Sequence, residues 1–466
     1  MGENIKGSIM RKSLNSTYLE MVEKLMSIPK YGSGIGLHRF YTLTEMWDID
    51  LSFFEHRVIH VTGSNGKGSV TAFSGNLLKG AGLTVGTFTS PHLLRFNERI
   101  QINNREILDC ELVNLSTEAI RLKDIYEKKY IGDTVGAFEL FTLIAAKYFF
   151  LNQPNVIVVE AGIGGRFDTT KCFGGHFAAL VSLDYEHTAL LGNTLEEIGY
   201  DKSDIIAHDS TLILGNIPDN IVKKMIGYNR SKGTTTVLFG KDFHIECSKN
   251  QDREKHLCVR FGDYRVEGCP SLLGTFQEEN ASVAIALSLS WLMENYTNKV
   301  SSYIRNAENA LLSTKWSGRL ETISSSPKIT IDVGHSPGAV KCALNAYAEL
   351  RDKSLPPEHL GILVTGVSGN KNIEEILQIL APHFSYIICT KAYHRGETPD
   401  VIATHAQKYN ALATVVTMDT IEAAMDHSIK MAEQYGMAIY VAGGLFLSIE
   451  YSQAFRGNNP KELIFF

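Results

Sequence analysis

The sequence predicts a layered α/β protein with two βα-rich parts. Three observations carry this. Short apolar, β-branched runs alternate with longer amphipathic ones. A strand-like run at Val58 to Thr62 leads through a glycine-rich turn into a helix-like segment. The same rhythm restarts after Lys315, following a polar interval and a long apolar helix.

In chain order, Val58 to Thr62 reads as a strand, Gly63 to Gly66 as a turn and Ser69 to Lys79 as a helix. The break Gly80-Ala81-Gly82 precedes a strand at Leu83 to Thr89. Glu111 to Lys129 and Ala137 to Leu151 read as helices. Val156 to Val159 reads as a buried parallel strand. Ala178 to Leu183 is a strand and Leu195 to Ile206 a helix. Lys249 to Lys255 is polar enough for a surface loop. His256 to Phe261 and Tyr264 to Glu267 alternate around Gly262-Asp263, a hairpin signal. Gln277 to Asn295 is a long helix. Strands then follow at Ile329 to Asp332, Leu360 to Thr365, Tyr386 to Cys389, Thr414 to Met418 and Ala438 to Ala442. A boundary near residue 300 separates an N-terminal domain, 1–300, from a C-terminal one, 301–466.

The chain has 466 residues, 21% of them charged, and a net charge of −6. That mild acidity disfavours non-specific nucleic-acid binding. No apolar run is long enough for a membrane span, since Lys147 interrupts Phe141 to Leu151. No secretion signal is evident. Met1-Gly2 begins like a myristoylation site, but Lys6 stands where Ser or Thr is needed. Seven cysteines without a CxxC pair fit buried packing residues in a reducing cytoplasm.

The strongest local signal is Gly63-Ser64-Asn65-Gly66-Lys67-Gly68-Ser69 between a strand and a helix. Glycines let backbone amides face a polyphosphate. The helix N-terminus adds positive charge, and Lys67 neutralises β- and γ-oxygens. This loop is shorter than the general phosphate-binding pattern and sets Gly68 between Lys67 and Ser69. A dinucleotide fingerprint at Gly162, Gly164 and Gly165 fails, because Phe167 occupies its third glycine position.

Three further side chains have chemistry of their own. Glu160 ends an apolar strand, where ligand-facing carboxylates occur in open α/β sheets. Ser90 lies in a turn fixed by Pro91, and His187 follows the strand ending near Leu183.

With these residues in order, the chain resembles the folylpolyglutamate synthase/dihydrofolate synthase family of the Mur ligase superfamily. Gly63 to Ser69 is similar to GTNGKGS, and Thr89-Ser90-Pro91-His92-Leu93 to TSPHL. Phe138-Glu139-Leu140 matches FE(L/F), and Glu160 to Asp168 resembles EVGLGGRLD. His187 to Lys202 resembles the stretch with DHxxxLG and EK. Leu273 to Ala281 resembles LxGxxQxxNA, and Trp316 to Glu321 resembles WPGRxE. The resemblance implies a P-loop ATPase-type N-terminal domain with a mostly parallel sheet and a smaller Rossmann-like C-terminal domain. It implies ligation: a carboxylate takes the γ-phosphoryl of ATP, and glutamate's amine displaces the phosphate.

By the same resemblance, Ser90, Glu160 and His187 would bind Mg²⁺, although a hard ion prefers oxygen to imidazole. Lys202 would carry a carbamate that holds a second Mg²⁺ or positions the acyl phosphate. Asn280 and Arg319 would contact ATP, and Asp332 and His335 would hold the nucleoside. Phe138 would stack on a pterin, and Arg39 would approach an acidic substrate. The implied protein is a cytoplasmic monomer acting on a pterin or folate acid and glutamate. Departures cluster in two places. Asp201-Lys202-Ser203-Asp204 replaces Glu-Lys-Ala-Gly. In the C-terminal part, Gly334 and Ser336 replace Ala and Asn, and Asn370-Lys371-Asn372 replaces Asp-Lys-Asp. They motivate a second reading, the same ligation on a non-folate acid. A third reading is a nucleotide-binding regulatory module without turnover.

Overall fold

The computed structural model describes residues 17–247, 256–350, 360–369 and 371–465. Met1, Gly2, Lys6, the loop expected at 249–255 and Asn370 lie outside the described residues. The chain divides into two compact units: residues up to Ser271 with Gln277–Thr314, and Leu272–Phe276 with Lys315–Phe465.

The first unit begins with helices α1 (17–27) and α2 (His38–Met46). Strand β1 (Val58–Thr62), α3 (Lys67–Gly80), β2 (Val85–Phe88), β3 (Ile100–Ile102) and β4 (Arg105–Glu106) follow. Next come α4 (Asp109–Lys129), α5 (Ala137–Asn152), β5 (Val156–Glu160), β6 (Phe177–Leu180), the single turn α6 (Thr188–Leu191) and α7 (Leu195–Ser203). Strand β7 (Thr211–Leu214), α8 (Asp219–Arg230) and β8 (Thr235–Leu238) complete an eight-stranded sheet, ordered β4-β3-β2-β5-β1-β6-β7-β8. Strands β9 (Phe243–Cys247), β10 (Leu257–Phe261) and β11 (Tyr264–Gly268) form a separate antiparallel sheet, before α9 (Thr275–Asn295) and α10 (Val300–Ser313).

The core of the large sheet is parallel from β2 to β8. Its central strands are β-branched and buried along their whole length, as expected when helices cover both faces. Register follows from the pairing of Val61 with Glu160, Thr62 with Leu180 and Phe88 with Val159. One edge of the sheet therefore collects the loops after β1, β2, β5 and β6.

The second unit contains β12 (Glu321–Ser325), β13 (Lys328–Ile331), α11 (Pro337–Glu349), β14 (Ile362–Thr365), α12 (Ile373–Leu380), β15 (Tyr386–Thr390) and α13 (Pro399–Tyr409). It ends with β16 (Thr414–Met418), α14 (Ile421–Tyr435), β17 (Ile439–Ala442) and α15 (Leu445–Phe455). The sheet order is β12-β13-β17-β14-β15-β16, parallel except for β12. Apolar clusters flank it, one around Leu344, Leu363 and Tyr440, the other around Ile329, Val364 and Tyr451.

Several expectations shift. The units part after Thr314, later than residue 300, because α10 packs on α3 and β11. Asn306 Nδ2 donates to Gly80 O at 2.9 Å, and Leu311 is fully buried. The strand at 178–183 stops at Leu180, and the helix at 195–206 stops at Ser203. Strands β3, β4, β7, β8, β9 and β12 were not anticipated. Cys172, Cys258 and Cys389 are buried, but Cys110 and Cys342 are exposed on α4 and α11.

One polar knot ties α2 to the turn before α5. Buried Arg39 donates Nε to Glu139 Oε1 at 2.8 Å, Nη1 to Asp133 Oδ1 at 2.8 Å and Nη2 to Gly34 O. Asp133 also accepts from Tyr126 Oη at 2.6 Å and pairs with His38 Nε2 at 2.9 Å. Burial opposes ionisation of Asp133, but these bonds and the Arg39 charge outweigh it and bring its carboxyl from 3.8 down to about 2. A depressed carboxyl stabilises the fold above its unfolded pKa and loses that contribution as pH falls toward the folded value. The contribution, on the order of 2 kcal/mol, is thus lost between about pH 4 and pH 2. In urea titrations across this range, Asp133→Asn is expected to be less stable at neutral pH and to show a flatter acid dependence than the unaltered chain.

Candidate active site

The phosphate loop starts where β1 ends. Gly63 has φ +145° and Gly66 φ +84°, the latter left-handed and directly before α3. A Cβ on Gly66 would lie 2.5 Å from Asn280 Oδ1, so glycine is required both by conformation and by space. Ser182 O accepts from Ser64 N at 3.0 Å. Ser182 Oγ accepts from Asn65 N and donates to Asn65 O, both at 2.9 Å. Asp184 N donates to Ser64 Oγ at 3.0 Å. These bonds clip the loop to the segment after β6. The first-turn amides of α3, around Lys67, Gly68 and Ser69, have no partners inside the helix and suit an anion. Lys67 Nζ folds back onto Gly63 O at 2.7 Å and Ser64 O at 3.2 Å.

Ser90 and Glu160 meet at the same edge: Ser90 N donates to Glu160 Oε2 at 3.0 Å. The Ser90 turn is anchored by Glu98, whose carboxylate accepts from the amides of Leu93, Leu94 and Arg95 at 2.8, 2.9 and 2.8 Å. Fully buried Arg99 donates Nε to His92 Nδ1 at 2.8 Å. Burial pulls its guanidinium down to about 10, while the charges of Glu160 and Glu98 oppose that fall. Arg99 and Glu98 lie far from Glu160 in sequence, so periodicity alone offered no signal for this support.

A second cluster joins Lys67, Glu186 and Lys202. Lys202, 2% exposed at its side chain, pairs through Nζ with Glu186 Oε1 at 2.8 Å. Burial and the neighbouring Lys67 lower the Lys202 pKa; Glu186 opposes the fall. Burial likewise raises Glu186, but Lys67, Lys202 and His187 overcome it and hold the carboxyl below its usual range. The carbamate expected on Lys202 has no support in this geometry. The ion pair requires an ammonium, and a carbamate would set two anions together. Glu186 was the missed member, though it is the acid directly before His187. Asp204, read as an extra local charge, is offset by Arg166 Nε at 2.7 Å and by Lys232.

Mg²⁺ takes oxygen ligands and commonly combines one or two carboxylates with substrate phosphates and water. The Ser90 hydroxyl and Glu160 carboxylate fit that donor set. His187 is exposed at a left-handed position, φ +46°. Among the described residues, no group of three or more His, Cys, Asp or Glu is arranged to hold a metal.

Phe138 is partly exposed against Gly162, where a Cβ would come within 2.7 Å of its ring, and its centroid is 6.1 Å from that of Phe88. It borders the Ser90–Glu160 edge. Arg39 does not: both arms of its fork are spent on Asp133, Glu139 and Gly34, which leaves it a structural role. Asn280, on α9, lies in the first unit beside Gly66 and donates Nδ2 to Gln277 Oε1 at 3.0 Å.

Arg319, Asp332 and His335 lie in the second unit, at the carboxyl end of β13. Asp332 accepts from Leu320 N at 3.1 Å and Gly334 N at 2.8 Å. Burial raises its pKa, and Arg319 opposes the rise. His335 Nδ1 is 3.2 Å from Val333 O. The local departures have physical reasons. A Cβ on Gly334 would sit 2.8 Å from Asp332 Oδ1. Ser336 caps α11, and Asn372 caps α12 by accepting from Glu375 N at 3.2 Å.

Residues 318–445 match the family model described as Mur ligase, glutamate ligase domain. The chain is 28% identical to folylpolyglutamate synthase of Lacticaseibacillus casei over 79% of this chain and 84% of that protein. It is 30% identical to dihydrofolate synthase/folylpolyglutamate synthase of Bacillus subtilis over 61% of this chain and 66% of that protein. A Mycobacterium tuberculosis folylpolyglutamate synthase structure superposes with a TM-score of 0.84 at 22% identity, covering 96% of this chain and all of that one, which establishes the shared fold. A solved FPGS–AMPPCP complex superposes at 0.78 with 25% identity, covering 94% of this chain and 100% of that chain.

Gly66→Ala tests the loop. The left-handed backbone and the contact with Asn280 both resist a Cβ, so affinity for a non-hydrolysable ATP analogue should fall by about tenfold or more in calorimetry while circular dichroism is unchanged. Unaltered affinity would show that the loop does not carry the nucleotide.

Proposed function

We propose that this chain, which belongs to the folylpolyglutamate synthase/dihydrofolate synthase family, is an ATP-dependent ligase that adds L-glutamate to dihydropteroate, to the γ-carboxylate of a folate, or to both, through an acyl phosphate. The observation that carries this reading is the sharing of one sheet edge by three devices: the phosphate loop, the Ser90–Glu160 pair and the Lys67–Glu186–Lys202 cluster. A nucleotide-binding module without turnover needs only the first. The names of the relatives favour a folate acceptor over an unrelated acid.

The amides at the start of α3 bind and orient the triphosphate, and Lys67 exchanges the carbonyls of Gly63 and Ser64 for β- and γ-oxygens. Mg²⁺, when bound at Ser90 and Glu160, supplies charge neutralisation between the phosphates and the acceptor carboxylate. Arg99 bonds His92, two residues after Ser90, and its charge acts on Glu160. Lys202, buried as an ammonium, adds a fixed positive charge where the acyl phosphate forms, and Glu186 holds it in place. Phe138 offers an aromatic face for the flat pterin ring. In the second unit, Arg319, Asp332 and His335 are assigned to the nucleotide. No helix among the described residues is long and apolar enough to cross a membrane. Our reading is of a cytoplasmic monomer working on small molecules.

The test is a panel of acids, each incubated with ATP and glutamate, with ADP release coupled to product mass. Dihydropteroate or tetrahydrofolate should gain one glutamyl residue per ADP; turnover confined to a non-pterin acid would overturn the folate assignment. Glu160→Ala should keep nucleotide binding within about threefold but lower ligation by at least about a hundredfold, the scale of losing one charge-stabilising group.

A further inference from the structure

Arg166 and Lys232 converge on one carboxylate, Asp204, and half-buried Lys171 lies near enough to feel its charge. Arg166 Nε donates to Asp204 Oδ2 at 2.7 Å, and Lys232 Nζ bonds to Asp204 Oδ1. Tyr228 Oη donates to Asp204 Oδ2 at 2.9 Å and accepts from Lys232 Nζ at 2.8 Å. Lys171 is half-buried and feels the charges of Asp204, Lys232 and Arg166, yet its ammonium has no hydrogen-bond or ion-pair partner among the described residues. The two nearest acids in sequence are engaged elsewhere: Asp168 accepts from Ile163 N and Thr170, and Asp201 accepts from Gly165 N.

Arg166, Lys171 and Lys232 outnumber the carboxylates that face them, Asp204 and, on the Arg166 side, Asp201, so the patch keeps a positive excess. Holding an unpaired, half-buried ammonium beside two like charges costs stability. An anionic ligand removes that cost. The patch is open to such a ligand: the Arg166 and Lys232 side chains are 42% and 26% exposed. It also adjoins the reacting edge. Gly165 packs on the backbone of Lys202, Arg166 N donates to Asp201 O at 2.9 Å, and Asp204 follows Lys202 by two residues.

We infer that Lys171, Lys232 and Arg166 form a subsite for the carboxylates of a γ-linked glutamyl tail on the acceptor. The inference rests on the ligase reading above. Each glutamate joined through its γ-carboxylate leaves an α-carboxylate free, so a growing tail carries a row of anions suited to a row of cations.

The experiment uses the full chain and two probes, tri-γ-glutamate and inorganic phosphate, titrated by calorimetry at low and high salt. Lys171→Met keeps the apolar stem and removes the charge, and exposed Lys430→Met serves as the control. Lys171→Met should weaken tri-γ-glutamate about tenfold, Lys171→Met with Lys232→Met more, and Lys430→Met not at all. High salt should weaken the unaltered chain. In kinetics, Lys171→Met should raise KM for a triglutamyl folate by a similar factor, with kcat and the monoglutamate KM within about twofold. Its melting temperature should not fall, because a repelled ammonium is lost.

Equal tri-γ-glutamate affinity in Lys171→Met and the unaltered chain would overturn the subsite, as would binding of phosphate without the peptide. Peptide binding that depends on Lys171 in a chain that ligates nothing would sink the proposed function and leave the subsite standing. Normal ligation with a triglutamyl KM indifferent to Lys171 would do the reverse.

Discussion

Strand β1 lies between β5 and β6, and the parallel register of these three strands fixes everything the site needs. Val61 opposite Glu160 and Thr62 opposite Leu180 bring the phosphate loop, the Glu160 carboxylate and the 182–187 segment to one edge. Strand β2, paired to β5, adds Ser90 to the same place. A slip of the pairing would carry Glu160 away from Ser90 and break the clip between Ser182 and the loop. The site is thus a property of the sheet, with each loop short and individually anchored.

That edge is crowded with charge, and the arrangement decides which charges survive. Lys67, Lys202 and Glu186 form a set in which the carboxylate, bonded to Lys202 and within reach of the Lys67 charge, offsets the repulsion between the two ammonium groups. Arg99 stands beside Glu160 without a solvent shell, and Glu98 spends its oxygens on three backbone amides. A preorganised, poorly solvated field of this kind is how a protein favours transfer of a charged group without rearrangement during the reaction. Arg39 is the contrast. Its fork is saturated by Asp133 and Glu139, so it supports the fold.

The central strands and the phosphate loop were legible because β-branched runs and a strand–glycine–helix order are local signals. Strands β3, β4 and β12 were not, since they are short or polar and exist through pairing with neighbours. The same distinction applies in the site. Ser90, Glu160, Lys67 and Lys202 sit in recognisable segments. Glu186 and Arg99 act through partners distant in sequence, and only the folded chain joins them. The bonding of Arg39 to Glu139 and Asp133 was not legible either, because its acid partners lie about a hundred residues away in the chain. The drift in the second unit falls largely on turn and cap positions, Gly334, Ser336 and Asn372, where local backbone geometry accounts for the residue present.

The central claim is that an acceptor carboxylate is phosphorylated before an amine displaces the phosphate. Acceptor acid carrying ¹⁸O in its carboxyl group, incubated with ATP and glutamate, tests it through the mass of the released inorganic phosphate. One ¹⁸O atom should appear in phosphate for each amide formed. Phosphate free of label, with amide still formed, would contradict the account.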